Sequence, residues 1–103
     1  MDVLTRIKGL ILRQRYRFSE KAADELDADG LQEADVLESI MNADHIKKTI
    51  RSSAHTGEKL YVIESPDYHG TLIYTKGKFT KLEDEEIFYF LISSKRSRRG
   101  NEV

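Results

Sequence analysis

The 103-residue chain contains no cysteine. Disulfides, thiolate metal sites and a cysteine nucleophile are therefore excluded. Long apolar runs are missing as well. In the opening stretch MDVLTRIKGLILRQRYRF the longest uninterrupted apolar run is Leu10 to Leu12, far short of a signal-peptide core or a membrane span. A soluble, cytoplasmic protein with no membrane partner is the expectation. Neither sign of charge dominates: 17 Lys plus Arg stand against 18 Asp plus Glu, a formal net charge of −1. That balance argues against strong, indiscriminate nucleic-acid binding and leaves room for a local basic patch. There is no Gly-rich phosphate loop, no Ser-His-Asp order and no paired-carboxylate motif; GTLIYTKGK carries glycines without the P-loop spacing. His45, His55 and His69 lack metal-ligand spacing, so neither a metal site nor a cofactor is expected.

What is present reads as one domain spanning residues 1–103, with 39% apolar and 34% charged residues. Apolar residues at steps of three and four predict a helix over 3–15, built on Val3, Leu4, Ile7, Leu10 and Ile11. Ser19 is a natural N-cap for a second helix over 20–28, which Gly30 stops. A third helix is expected over 31–43, with its acids near the N-terminus. The apolar period then changes to two. Strands are expected over 46–53, 58–65, 71–77 and 87–95, with the single proline, Pro66, in a loop and the acidic stretch 82–86 as a turn. The predicted fold is α+β: three N-terminal helices packed on one four-stranded antiparallel sheet, with a frayed tail over 97–103. Its core should hold Ile7, Leu26, Val36, Leu37, Ile40, Leu60, Val62, Leu72, Phe88, Phe90 and Ile92.

The segments FSEKAADELDADGLQEADVLESIMN, GEKLYVIESPDYHGTLIYTKG and FYFLISSKRS together resemble the bacterial family called domain of unknown function 4258. The resemblance covers about residues 16–96. That family is similar to the BrnT-like, MqsR-like and RelE-like toxins of toxin–antitoxin modules. The resemblance implies helices packed on an antiparallel sheet, metal-independent RNA cleavage and an antitoxin protein as partner. The chain departs from the family pattern at Lys21, where many members carry a histidine, and in its balanced charge.

Metal-independent RNA cleavage needs a base for the 2′-hydroxyl, cations for the phosphate and an acid for the leaving oxygen. The candidates are Lys95 and Arg96 at the end of the last strand, Arg51 on the first, and His55 or His69 in turns. Lys95 and Arg96 equally suit a strand that simply ends in water, and Arg51 equally suits an ion pair with the acidic stretch. Lys21, Tyr89, Arg98 and Arg99 are candidates for holding RNA, and Tyr61, Tyr68 and Tyr74 for stacking on bases. Strand alternation sets Tyr89, Leu91, Ser93 and Lys95 on one face. Lys95, Arg96 and Arg51 are expected to converge on one cationic patch. The alternative is a non-catalytic module of the same fold that binds a protein or a nucleic acid. Nothing in the sequence fixes the oligomeric state.

Overall fold

The structure, a computed structural model, describes residues 1–52, 57–81 and 86–97. The chain runs α1 (Val3–Leu12), β1 (Tyr16–Phe18), α2 (Glu20–Ala28), α3 (Glu33–Asn42), β2 (Lys48–Arg51), β3 (Lys59–Pro66), β4 (Leu72–Lys81) and β5 (Ile87–Arg96). The class is α+β, with three helices and a five-stranded mixed sheet ordered β1-β5-β4-β3-β2. The four expected strands are antiparallel neighbours, and β1 adds itself parallel to β5.

The extra strand corrects the four-stranded expectation, and its cause lies at the end of α1. Asp2 caps that helix, its Oδ1 accepting from Thr5 N–H at 2.7 Å. The helix stops at Leu12, short of the expected residue 15. Gln14 enters the left-handed region at φ 61°, Gln14 N–H donates to Ile11 C=O, and Arg15 N–H donates to Leu10 C=O. This is the Schellman arrangement, with glutamine where glycine is usual. The chain therefore leaves the helix early enough for Tyr16, Arg17 and Phe18 to pair with Tyr89, Phe90 and Leu91. Three residues are too few to show an alternating pattern, and their partners lie some seventy positions away.

The N-cap at Ser19 holds: its Oγ accepts from Ala22 N–H at 3.0 Å and donates to Ile92 C=O at 3.1 Å. From there α2 takes over the edge of β5 that β1 leaves uncovered. Ser94 N–H donates to Glu25 Oε1 at 3.0 Å, and Arg96 N–H donates to Asp29 Oδ2 at 2.7 Å. Residues four apart on a helix rise about 6 Å, close to the advance of two strand residues, so two carboxylates extend the ladder in place of another strand. Gly30, at φ 71°, ends α2 as expected.

The core forms where α1, α2 and α3 meet one sheet face. Ile7, Leu10, Leu26, Val36 and Ile40 pack there against Tyr61, Ile63, Ile73, Tyr89 and Leu91. Of the expected core, Ile7, Leu26, Val36, Ile40, Val62 and Phe88 are buried; Leu37, Leu60, Leu72, Phe90 and Ile92 are only partly so. The parity of β5 is the reverse of the expected one: Tyr89 and Leu91 meet the helices. Gly77 decides this. An added Cβ there would lie 2.5 Å from Tyr89 Cζ, so only glycine leaves room for the ring. A β-bulge follows. Pairing shifts from Gly77–Leu91 to Lys76–Ser93, leaving Ile92 as the extra residue. Beyond it the alternation changes phase, so Lys95, opposite Tyr74, points away from the face that holds Tyr89, opposite Phe79. The expected grouping of those two residues on one face is thereby overturned.

Candidate nucleic-acid interface

Among the described residues the helices pack on one sheet face, and the other carries no helix. Register assigns that open face residue by residue. Arg17 lies beside Phe90, and Phe90 beside Lys78. Lys48 lies beside Val62, Val62 beside Lys76, and Lys76 beside Ser93. Glu64 lies beside Tyr74, and Tyr74 beside Lys95. These three rows, about 7 Å apart along the strands, alternate cations with apolar and aromatic groups, although Val62 and Ser93 in the middle row are themselves buried.

The side chains are held by one another. Lys95 Nζ stands 5.5 Å from the centre of the Tyr74 ring, and the Arg17 guanidinium stands 5.7 Å from the centre of Phe88. Phe88 and Phe90 meet edge to face at 6.2 Å. Two carboxylates on this side are already neutralised: Glu58 pairs with Lys78 at 2.8 Å and Glu64 with Lys47 at 2.7 Å. Glu64 also accepts from Ser97 Oγ. Arg17, Lys48, Lys76 and Lys95 have no ion-pair partner among the described residues. The face is therefore net cationic, and its charges rest on a rigid sheet.

The expected catalytic set does not assemble. Arg51 pairs with Lys59 on the edge strand, on the same parity as Tyr61, and so on the helix side. Lys95 belongs to the opposite face and lies three strands away, roughly 14 Å by strand spacing alone. Arg96, one residue on, turns to the helix side, and its guanidinium donates to Asp29 C=O at 3.0 Å. Lys21 is exposed on α2 and pairs with Glu25 at 3.0 Å. Tyr89 cannot stack on a base, because its ring is wholly buried in the core and its Oη has no hydrogen-bond partner. Burial, with a smaller contribution from Tyr61, pushes its phenol well above the usual range. His55, Arg98, Arg99 and most of the acidic stretch 82–86 lie outside the described residues; Glu86 is described and pairs with Arg15 at 2.8 Å.

His69 and Arg96 both line a polar cleft of about 370 Å³ at the end of the sheet. Its other walls include Gln32, Asp35, Asp67 and Thr71. Asp35, Glu38, Asp67 and His69 bring one ligand atom each within 4.8 Å of one another, and these residues could hold a divalent metal ion. Each carboxylate also has a local task. Asp35 accepts from Gln32 N–H, Glu38 from Tyr68 N–H, and Asp67 from both His69 N–H and Thr71 N–H. Two carboxylates, Asp35 and Asp67, lining the cleft with one arginine make a poor seat for phosphate. The sequence reading missed this grouping because the acids and the histidine come from a helix and a distant turn. The open face was missed for another reason: Arg17, Lys48, Lys76 and Lys78 come from three separate strands and look like scattered surface charge.

No helix among the described residues is long and apolar enough to cross a membrane. Comparison of the chain with protein-family models, curated proteins and solved structures finds no significant match.

Proposed function

We propose that the protein binds single-stranded RNA across the open face of its sheet. The observation that carries this reading is the interleaving of Arg17, Lys48, Lys76 and Lys95 with Tyr74 and Phe90 on one helix-free surface. Cations track a phosphate backbone while aromatic faces accept bases, and a sheet fixes the spacing of both. Phe88 is itself buried beneath Arg17, so Tyr74 and Phe90, both partly exposed, offer the stacking surfaces. The binding role needs no convergence of Arg51 with Lys95. A toxin-like ribonuclease activity at the same face would draw on Lys95, with Tyr74 beside it as a hydroxyl donor.

Titration of a labelled single-stranded RNA at two salt concentrations tests the proposal. Wild type should bind at low salt and lose affinity as salt rises. The Lys76→Ala/Lys95→Ala variant should bind at least about tenfold more weakly, with a salt slope shallower by about 1.4, since each single-strand phosphate contact contributes about 0.7. Tyr74→Ala should cost about 1–3 kcal/mol with a nearly unchanged slope. Equal binding by wild type and the double variant, or no binding by either at low salt, refutes it. Product analysis of the same RNA addresses cleavage: fragments formed by wild type and absent with Lys95→Ala would favour the nuclease reading.

A further inference from the structure

On the helix side of the molecule, α1 leaves a groove of about 380 Å³ against the start of β5, lined in part by Arg6, Gly9, Leu10, Arg13 and Ile87, with Met1 at one end. Four large apolar residues are exposed among the described ones, and two of them, Met1 and Ile87, line this groove. A third, Leu12, is 71% exposed and follows Gly9 by three positions on the same helix. Apolar surface gathered in one place marks a contact site.

The rim is cationic. Arg6 and Arg13 are seven residues apart on α1 and its C-cap, about 10 Å along the axis. Neither has an ion-pair partner among the described residues. The Arg6 guanidinium rests 4.3 Å from the centre of the Phe79 ring, which fixes its charge in place. Between the two arginines lies Gly9. A glycine inside a helix weakens it, and nothing within this fold asks for one there: an added Cβ would meet no atom within 4 Å. Its missing side chain opens the floor of the groove to the close approach of another backbone.

We infer that this groove docks an acidic amphipathic helix of a partner protein. The apolar stripe of that helix lies over Gly9, Leu10 and Ile87, and carboxylates two turns apart face Arg6 and Arg13. The commitment to an acidic partner follows from the two unpaired guanidinium groups on the rim. The commitment to a helix follows from the seven-residue spacing of those charges and from the glycine between them. The surface is separate from the open sheet face, and the inference does not rest on RNA binding.

Fluorescence anisotropy with two labelled peptides of about 16 residues, roughly four turns each, tests this. Both carry a Leu/Ile stripe; one places Glu at positions seven apart, and the other places Lys there. The Glu peptide should bind wild type with Kd on the order of 10⁻⁵ M, and the Lys peptide at least about tenfold more weakly. Gly9→Leu, which fills the groove at an open helical position, should weaken the Glu peptide by about tenfold or more while keeping the wild-type circular dichroism and RNA affinity. Arg6→Glu/Arg13→Glu should reverse the preference in favour of the Lys peptide. Equal binding of the two peptides, undiminished binding by Gly9→Leu, or no binding up to about 1 mM overturns the inference. Binding of the Glu peptide only to a Glu83→Gln/Asp84→Asn/Glu85→Gln variant would also overturn it, because the chain's own acidic stretch would then be the occupant.

Discussion

Replacing Gly77 by alanine should be among the most damaging single-methyl additions in this fold. The new Cβ would sit 2.5 Å from Tyr89 Cζ, 2.6 Å from Cε2 and 2.6 Å from Oη. Ordinary carbon contacts need about 3.5–4.0 Å, so two ring carbons and the phenol oxygen overlap by about 1 Å each. The ring has nowhere to go. It is fully buried, packs edge-on against Phe79 at 5.8 Å, and Phe79 in turn packs against Tyr61 at 5.7 Å. Overpacking of this kind costs about 1–3 kcal/mol, and removing a strand glycine returns about 0.5–1 kcal/mol. With three atoms in overlap we expect the net loss near 2 kcal/mol, a fall in Tm of roughly 8–16 °C for a domain of this size. Urea and thermal unfolding followed by circular dichroism measure it. In a double-mutant cycle with Tyr89→Leu, which removes the ring, the alanine should become nearly neutral, giving a coupling of about 1.5 kcal/mol or more. A Gly77→Ala protein within about 0.5 kcal/mol of wild type, or strict additivity in the cycle, would refute the claim that this contact sets the register of β5.

Three further outcomes follow from single side chains. Tyr89→Phe removes a buried hydroxyl that has no partner and should leave stability unchanged or raise it by about 1 kcal/mol, measured by urea unfolding. Gln14→Gly relieves a left-handed backbone at φ 61° and should raise stability by about 0.5–1 kcal/mol in the same assay. Glu25→Gln should flatten the acid side of the stability–pH profile. Burial alone would raise the Glu25 carboxyl, but bonds from Ser93, Lys21 and Ser94 N–H outweigh it and hold the group below its ordinary 4.5. Its stabilisation is therefore complete above pH 4.5 and is lost as pH falls through the lower folded value, so the gap between wild type and variant, about 1–2 kcal/mol at pH 7, should close in acid. A gap that persists unchanged at pH 2 would contradict this.

The helices and most strands were legible because each carries its own signal: Ser19 before α2, Gly30 after it, and the change of apolar period near residue 45. β1 was not, because three residues have no period and their pairing is with a strand at the other end of the chain. The faces of β5 were not, because residues 87–92 are apolar on both sides and alternation cannot choose between them. The choice lies in Gly77 on a neighbouring strand. Past the bulge at Ile92 a simple odd–even count fails, which is how Lys95 came to be grouped with Tyr89. The candidate site suffered most. Lys95 holds its place on an open face, whereas Arg51 and Arg96 face the helices for reasons of register that no local pattern shows.

Net charge is a similarly coarse guide. A formal charge of −1 describes the chain, but ligands meet faces. Residues 20–44 contain nine acids and one lysine, and they form α2, α3 and their caps on one side of the sheet. Several of those acids are tied to backbone N–H groups: Glu25 and Asp29 at the edge of β5, Asp35 at the start of α3, Glu38 at the β3–β4 turn. Tethered in this way they cannot swing round to neutralise the open face, where Arg17, Lys48, Lys76 and Lys95 stand on sheet backbone. The α2–α3 side and the open face then carry charge of opposite sign, while α1 places Arg6 and Arg13 on the helix side as well. Screening acts over about 8 Å at physiological salt, less than the thickness of the helix layer plus the sheet, so a polyanion at the open face feels mainly the cations beneath it. Under the proposed RNA binding, the acids behind it would bear on orientation, repelling a polyanion that approaches the α2–α3 side. A chain with the same composition but its acids spread evenly over both faces would keep the net charge and lose that asymmetry.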